Sequence, residues 1–404
     1  MSGTASRGRG NDEQSGTLLV VDDNEMNRDM LSRRLAKRGH QVLVAEDGHR
    51  ALEMIDEHDF DVILLDIMMP GLDGYEVLEK IREQHGPVDL PVIMATAKDE
   101  SQDIVRALNL GANDYVTKPF DFPVVRARVA TQVALKKSQQ ALAKALARIK
   151  RNLDAAARIQ QSFLPTEDPG FEGVRFAWKY EPCDELAGDT LNVIPLDDTH
   201  VAVYVLDVSG HGVASSLLSV ALSRLMTRLT ASDSILWDEA DDRPSTPSEV
   251  VDELARRFPY DIETGQYFTL AYGVLDVKRK QLTYTSAGHV PLILARPGSN
   301  AAQLDSTGPP VALVPSEIMP SVYTESVVDL APGDRLYLYS DGISEAANPE
   351  EEQFGEERLG ELLTELLPQS LNDTLGLLVD RVRSWCGGAD FDDDVTVLAI
   401  EITD

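Results

Sequence analysis

Cysteine is nearly absent. Cys183 and Cys386 are the two in 404 residues, and neither belongs to a zinc-type cluster, which excludes a disulfide scaffold and a cysteine metal site. A reducing, cytoplasmic setting is the expectation. Basic residues are scarce beside acidic ones, 37 Lys and Arg against 68 Asp and Glu, and the formal charge of -31 argues against a general binder of nucleic-acid phosphates. No apolar run is long enough to span a bilayer, and the opening MSGTASRGRGNDEQSG lacks the hydrophobic stretch that a signal peptide needs. Residues 1–16 read as a disordered tail, and neither membrane nor nucleic acid is an expected partner. What the chain does have is length, enough for two or three domains that each bury a core.

In the first third, apolar runs of strand length end in chemistry. TLLVVDD closes on Asp22 and Asp23, DVILLDIMMPGLDG places Asp66 at a strand end, PVIMATAKDE ends near Thr96, and DYVTKPF carries Lys118. Helical spacing follows each run, so the pattern predicts an α/β unit with a doubly wound parallel sheet. In such a sheet, ligand groups gather in the crevice beyond the carboxyl ends of the strands. Three acids, a hydroxyl and an amine would share one rim, and clustered carboxylates call for a hard divalent cation such as magnesium.

This segment resembles a response-regulator receiver domain over residues 17–130. The resemblance implies phosphorylation of Asp66 by a histidine kinase, with Mg2+ held by Asp23, Asp66 and the Met68 carbonyl and with Asp22 acting mainly through water. It further implies that Thr96 and Lys118 bind the phosphoryl oxygens, that Tyr115 moves on activation, and that a cis bond precedes Pro119.

Between Pro123 and Pro165 there is no proline and no glycine, and strong helix formers dominate. Leu135, Leu142, Ile149, Ala156 and Phe163 recur every seven residues. Leu146 and Leu153 fill the complementary position, and Gln139 and Gln160 interrupt it. The spacing predicts a coiled-coil linker over residues 131–165 and a parallel homodimer, with the glutamines fixing register. Seven basic residues against the single acid Asp154 lie in that span, which reads as the solvated outer face of the coil. One amphipathic helix folded back on a domain is the alternative.

The last part opens with HVAVYVLDVSGHGVASSLLSV, where Asp207, Ser209 and His211 straddle a strand-to-helix turn. A nucleophilic triad needs three side chains converging with the histidine between the others, which consecutive turn residues rarely permit. A metal site is the other reading. LAGDTLNVIPL, LYLYSDGISEA and FDDDVTVLAI bring further acids, Asp189, Asp341 and Asp392–Asp394, to strand termini beside glycine. Two divalent ions among them would generate a nucleophile at neutral pH and hold a phosphate in line.

These segments, together with ARIQQSFLP, YFTLAYGVLD, SAGHVPLIL and TGPPVAL, resemble in order the protein phosphatase 2C superfamily in its SpoIIE and RsbU-like branch. The resemblance assigns residues 166–404 to an α+β two-sheet sandwich that hydrolyses phosphoprotein directly with two Mn2+ or Mg2+ ions. It implies that Asp189 and Asp207 are the catalytic bridging ligands, that the Val208 carbonyl completes one metal site, and that Asp341 and Asp393 bind the second ion. Ser209 and His211 would then shape the turn. Ala187 and Asn192 depart from the GGD-x-x-D pattern and bear on metal affinity.

His289 in SAGHVP reads first as a structural histidine and second as a general acid. The cysteines read as inert, and residues 231–249 as a flexible acidic insertion. The chain is expected to be a two-component output protein in which phosphorylation of Asp66 controls a phosphatase acting on a STAS-domain anti-sigma factor antagonist. The rival reading is a noncatalytic adaptor built on a phosphatase-like domain.

Overall fold

The structure, a computed structural model, describes residues 15–97, 101–210, 212–227, 234–304, 308–313 and 323–404. The predicted tail at 1–14 and His211 lie outside them. The chain divides into two compact units, one up to Ile149 and one from Lys150. Among the described residues, no helix is long and apolar enough to cross a membrane.

The first unit alternates strand and helix, beginning with β1 (Thr17–Val21), α1 (Glu25–Ala36), β2 (Gln41–Ala45), α2 (Gly48–Glu57) and β3 (Val62–Asp66). It continues with α3 (Gly74–Gln84), β4 (Val92–Ala97), α4 (Ser101–Asn109) and β5 (Asp114–Lys118). All strand pairs are parallel, in the order β2-β1-β3-β4-β5. Successive side chains of a strand point to opposite faces. Leu19, Val21, Ile63 and Leu65 therefore pack with Ala51, Met54, Val77 and Leu78 of α2 and α3, while Leu18, Val20, Val62 and Leu64 pack with Leu31 and Leu35 of α1. This is the doubly wound α/β sheet that the sequence predicts.

The first turns of α5 (Phe122–Gln161) complete the second of those layers through Val125, Val129 and Val133. The helix then runs on without interruption to Gln161. Leu135, Leu142, Leu146 and Ile149 on this stretch are 51%, 61%, 57% and 55% exposed. Two heptad assignments need correction. Phe163 lies beyond the end of the helix, and Gln160 is buried within its own chain.

The second unit opens with β6 (Val174–Glu181), β7 (Thr190–Pro195), β8 (His200–Val208) and α6 (Val213–Leu225). A two-stranded ribbon, β9 (Trp237–Asp238) and β10 (Arg243–Pro244), precedes α7 (Pro247–Arg257). Then come β11 (Phe268–Asp276), β12 (Gln281–Ala287), β13 (Leu292–Ala295), β14 (Ala302–Leu304), β15 (Ser326–Asp329) and β16 (Arg335–Tyr339). The unit closes with α8 (Asp341–Ser344), α9 (Glu356–Glu365), α10 (Leu371–Trp385) and β17 (Val395–Ile402).

Two antiparallel sheets result, ordered β15-β12-β11-β8-β7 and β14-β13-β16-β17-β6. Val201, Val203 and Val205 of β8 meet Leu336, Leu338, Leu398 and Ile400 of the other sheet between the layers. The alternate residues Ala202, Tyr204 and Leu206 face Leu222 of α6 and Val250 and Leu254 of α7. Tyr337, Tyr339, Val397 and Ala399 face α9 and α10 on the opposite side. The period-two alternation produces a four-layer sandwich with one core between the sheets and one under each helical layer.

The segment 231–249 does not behave as a flexible insertion where it is described. Ile235 and Leu236 are buried in the core under α6 and α7, and β9 and β10 pair just after them. The apolar run SILW anchors an otherwise acidic stretch, and Thr246 and Glu249 form a capping box that starts α7.

Candidate active site

Each acid singled out in the second unit sits where a strand begins or ends. Asp189 immediately precedes β7 and Asp207 is the penultimate residue of β8, next to it in the same sheet. In the facing sheet, Asp341 follows β16 and Asp393 precedes β17. Two close backbone approaches bring these ends together. A side chain at Gly188 would place its Cβ 2.7 Å from the Val208 carbonyl oxygen and 3.0 Å from that of Gly210. One at Gly342 would place it 2.1 Å from the Asp394 carbonyl oxygen. Glycine alone leaves room for both crossings.

The carboxylates act on one another. Burial, followed by the charges of Asp341 and Asp393, pushes Asp207 up to about 7. Burial, then Asp393 and Glu345, pushes Asp341 to about 6. Asp189 is fully enclosed and raised well above the usual carboxylate range, first by burial and then by Asp207 and Asp394. The Ser340 and Thr396 hydroxyls offset only part of that rise, and Asp189 Oδ2 has no hydrogen-bond partner among the described residues.

A buried, unpartnered carboxylate oxygen amid like charges is costly unless a cation answers it. An all-oxygen donor set suits hard divalent ions. The Asp189–Asp207 pair therefore suits a hard divalent cation, while among the described residues no three of Asp189, Asp207, Asp341 and Asp393 bring ligand atoms within 4.8 Å of one another.

Asp394 is the functional residue that the sequence analysis did not separate from its neighbours. Its side chain accepts from the backbone N–H groups of Cys183 at 2.9 Å, Gly188 at 2.7 Å and Asp189 at 3.3 Å. Asp393 is exposed while Asp394 is buried, because adjacent residues entering a strand alternate in direction. That alternation was the available signal.

Ser209 is no free nucleophile. Its N–H donates to the Tyr267 carbonyl at 2.9 Å and its Oγ accepts from the Tyr267 N–H at 3.0 Å, extending the β8–β11 ladder. His289 is buried, shares a hydrogen bond with Thr269 Oγ1 at 2.6 Å, and is held down to about 4 by burial, which keeps it neutral. Cys183 Sγ clusters with carboxylate oxygens of Asp393 and Asp394, all within 4.8 Å of one another. Burial and then the Asp394 charge push that thiol up to about 12, so it is no thiolate.

The two departures from the family pattern face the end of α5. Gln160 Nε2 donates to the Ala187 carbonyl at 2.7 Å, and the Ala187 N–H donates to Gln160 Oε1 at 3.2 Å. Asn192 Nδ2 donates to the Phe163 carbonyl at 2.8 Å. That contact uses the amide nitrogen within the protein.

In the first unit, Asp22, Asp23 and Asp66 present oxygens within 4.8 Å of one another at the carboxyl ends of β1 and β3. Lys118 Nζ lies 2.8 Å from Asp22 Oδ2 and 2.5 Å from Asp66 Oδ2. Burial raises Asp66, and the hydrogen bond and charge of Lys118 offset part of the rise. Burial would lower the Lys118 ammonium, but its hydrogen bonds to Asp22 and Asp66 outweigh that and leave it raised.

Asn27 Nδ2 also donates to both Asp22 oxygens at 3.1 Å. The Met68 N–H reaches Asp66 Oδ1 at 3.4 Å. Thr96 is buried near the end of β4, and the guanidinium of Arg128 stands 6.0 Å over the half-buried Tyr115 ring. The Lys118–Pro119 bond is cis.

The family profile of Stage II sporulation protein E (SpoIIE) matches residues 197–403, and that of the response regulator receiver domain matches residues 18–130. Among solved structures, the chain is similar to the SiaA-PP2C domain of Pseudomonas aeruginosa. That likeness has 22% identity over 64% of this chain and 98% of that one, with a TM-score of 0.54, and it supports the two-sheet fold. The chain is also similar to the PP2C phosphatase domain and regulatory fragment of SpoIIE from Bacillus subtilis, with 18% identity, 57% and 63% coverage and a TM-score of 0.47. A Francisella response regulator receiver domain matches at 34% identity, covering 29% of this chain and 96% of that one, with a TM-score of 0.28.

Proposed function

We propose, from the premise that this chain belongs to the SpoIIE family and carries a response-regulator receiver domain ahead of a PP2C-type serine/threonine phosphatase domain, that phosphorylation of Asp66 controls hydrolysis of a phosphoprotein at the Asp189–Asp207 site. The observation that carries the catalytic reading is the gathering of acids at these strand ends, with Asp207 and Asp394 close enough to raise the buried Asp189, and Asp341 and Asp393 close enough to raise the buried Asp207. Asp189 and Asp207 would hold two ions between them, with the Val208 carbonyl, Asp341 and Asp393 completing the set. Mn2+ or Mg2+ bound there supplies an acidified water and the charge that draws in a phosphoryl group.

The chain's own part is to hold this array rigid. Asp394 fixes the Gly188–Asp189 backbone, and the tight crossing at Gly188 sets the distance to Val208. Neither Ser209 nor Cys183 offers a competing nucleophile, because Ser209 is bonded to Tyr267 and Cys183 is held as a thiol. Attack by water is therefore direct. The substrate class is a phosphorylated serine or threonine protein, with a STAS-domain anti-sigma factor antagonist as the specific candidate. Hydrolysis of a phosphorylated STAS protein should require Mn2+ or Mg2+ and stop on chelation; turnover that survives chelation would remove the metal reading, whereas no turnover with either metal present would leave the noncatalytic adaptor as the alternative.

At the receiver, Asp66 is the phosphoryl acceptor, and Asp23, Asp66 and the Met68 carbonyl would hold Mg2+. Lys118, already bonded to Asp22 and Asp66, is placed to meet a phosphoryl oxygen alongside Thr96, and Tyr115 is the residue that shifts. A histidine kinase or acetyl phosphate would be the donor. Labelling with either should place the phosphoryl group in the peptide containing Asp66, and Asp66→Asn should bring incorporation to background. Undiminished labelling of that peptide in the variant would place the acceptor elsewhere.

The exposed stripe of Leu135, Leu142, Leu146 and Ile149 on α5 fits a second copy of the same helix, since the 7- and 4-residue spacing repeats as a coiled-coil seam does. A homodimer through α5 is thus part of the proposal.

A further inference from the structure

The reaction proposed above gives the buried His289 no part. It sits in the turn between β12 and β13, where its Nδ1 shares the 2.6 Å hydrogen bond with Thr269 Oγ1. Thr269 stands directly opposite Asp207 in the β8–β11 ladder. Opposed residues on neighbouring strands point to one face and hold their Cβ atoms about 5 Å apart. The next pair inward on this face, Ala271 with Val205, lies in the core between the sheets. Thr269 and Asp207 thus cap that core side by side.

A hydroxyl beside a carboxylate ordinarily donates to it, because hydrogen bonds to charged acceptors are the stronger ones. Here it does not. Among the described residues no hydrogen bond joins Thr269 to Asp207, and the Thr269 hydroxyl is turned to His289 instead. Burial holds the His289 ring neutral, so one of its nitrogens carries a hydrogen and the other accepts. Nε2 is buried and lacks a full hydrogen bond among the described residues, and the backbone of Tyr339, the last residue of β16, is the group that favours a proton on the ring. With Nδ1 turned to Thr269, that proton belongs on Nε2, which leaves Nδ1 to accept from the hydroxyl.

We propose that His289 is a positioning residue for the phosphatase site: it draws the Thr269 hydroxyl hydrogen away from Asp207, so that the lone pairs of that carboxylate stay open to a divalent cation. The proposal rests on the reading of Asp207 as a metal ligand. A hydroxyl released from His289 would turn to the carboxylate beside it and compete with the ion. The histidine acts through Thr269 and needs no contact with substrate or metal.

The two side chains can be tested as a pair. His289→Phe keeps a ring of similar shape without nitrogens and frees the hydroxyl, whereas Thr269→Val removes the hydroxyl and keeps the branched shape. In the full-length protein, Mn2+ binding followed by the electron paramagnetic resonance signal of free Mn2+ should weaken by about tenfold in His289→Phe, the scale typical of groups that support a ligand. Thr269→Val should bind Mn2+ close to wild type, and adding it to His289→Phe should restore the lost affinity. Wild-type affinity in His289→Phe, or a double variant as weak as His289→Phe, would overturn the proposal. A histidine that served packing alone would give no such rescue.

Asp207→Asn serves as the control. Normal Mn2+ binding in that variant would overturn the metal-ligand reading itself, whereas loss there with no effect of His289→Phe would overturn the role of His289 alone. Thermal unfolding in chelator should show that the variants remain folded. Should His289→Phe fail to fold, nitrogen-15 resonances of the wild-type imidazole in chelator decide. They should show the proton on Nε2 and a bare Nδ1, and a protonated Nδ1 would overturn the proposal.

Discussion

Replacing Asp207 with asparagine should remove hydrolysis of a phosphoserine peptide, a fall of about three orders of magnitude or more, equal to roughly 4 kcal/mol of transition-state stabilisation. Asparagine keeps the shape of the side chain but not its charge, at a position whose carboxyl is already pushed up to about 7 by burial and by Asp341 and Asp393. Ser209→Ala makes the contrast. It deletes the hydrogen bond accepted from the Tyr267 N–H, at a cost of about 1 kcal/mol in stability, and should leave most of the turnover. Initial rates at saturating Mn2+ for the two variants separate direct attack by water from a serine nucleophile. The reverse ranking, with Asp207→Asn active and Ser209→Ala dead, would overturn the assignment.

The second large effect concerns α5. One residue inserted near Ala145 turns everything beyond it by about 100°, whereas seven inserted there nearly preserve phase at 3.6 residues per turn. The first insertion should abolish the response of phosphatase rate to acetyl phosphate, and the second should keep most of it. The reason lies in the two buried ends of the helix. Val125, Val129 and Val133 are fixed on the receiver sheet, and Gln160 is fixed on Ala187. A change in phase must therefore be absorbed at one of them or along the exposed stripe. Equal regulation in both insertion variants would take the helix out of the mechanism.

The alternation of strands that end in acids made both folds legible, because burial on two faces and a ligand rim at the strand ends each impose a local pattern. Asp66 and Lys118 could be placed on one rim for that reason, and they lie 2.5 Å apart. What stayed hidden depends on contacts between distant parts of the chain. Asp394 holds Gly188 across 206 positions of sequence, and although alternation into β17 can mark it as the inward acid, nothing in FDDDV says what it holds.

Gln160 matched the heptad by spacing, yet the helix ends one residue later, so the coil it was assigned to does not continue there. Residues 235 and 236 look like part of an acidic loop by composition and are buried by tertiary packing. Asn192 departs from the family pattern by sequence, and its hydrogen bond to the Phe163 carbonyl shows only in the fold.

The exposed stripe on α5 has a cost that its leucines do not reveal. Residues 131–165 carry seven basic side chains against one acid, while the whole chain carries -31. Two copies meeting along the stripe bring basic flank to basic flank and acidic body to acidic body. Coiled coils zipped by opposite charges loosen as salt rises, but here two chains of -31 each repel on balance, and screening over about 10 Å at 0.1 M removes much of that repulsion. If two copies pair along α5, their association should therefore tighten as ionic strength rises, the opposite of what a charge-zipped coil does.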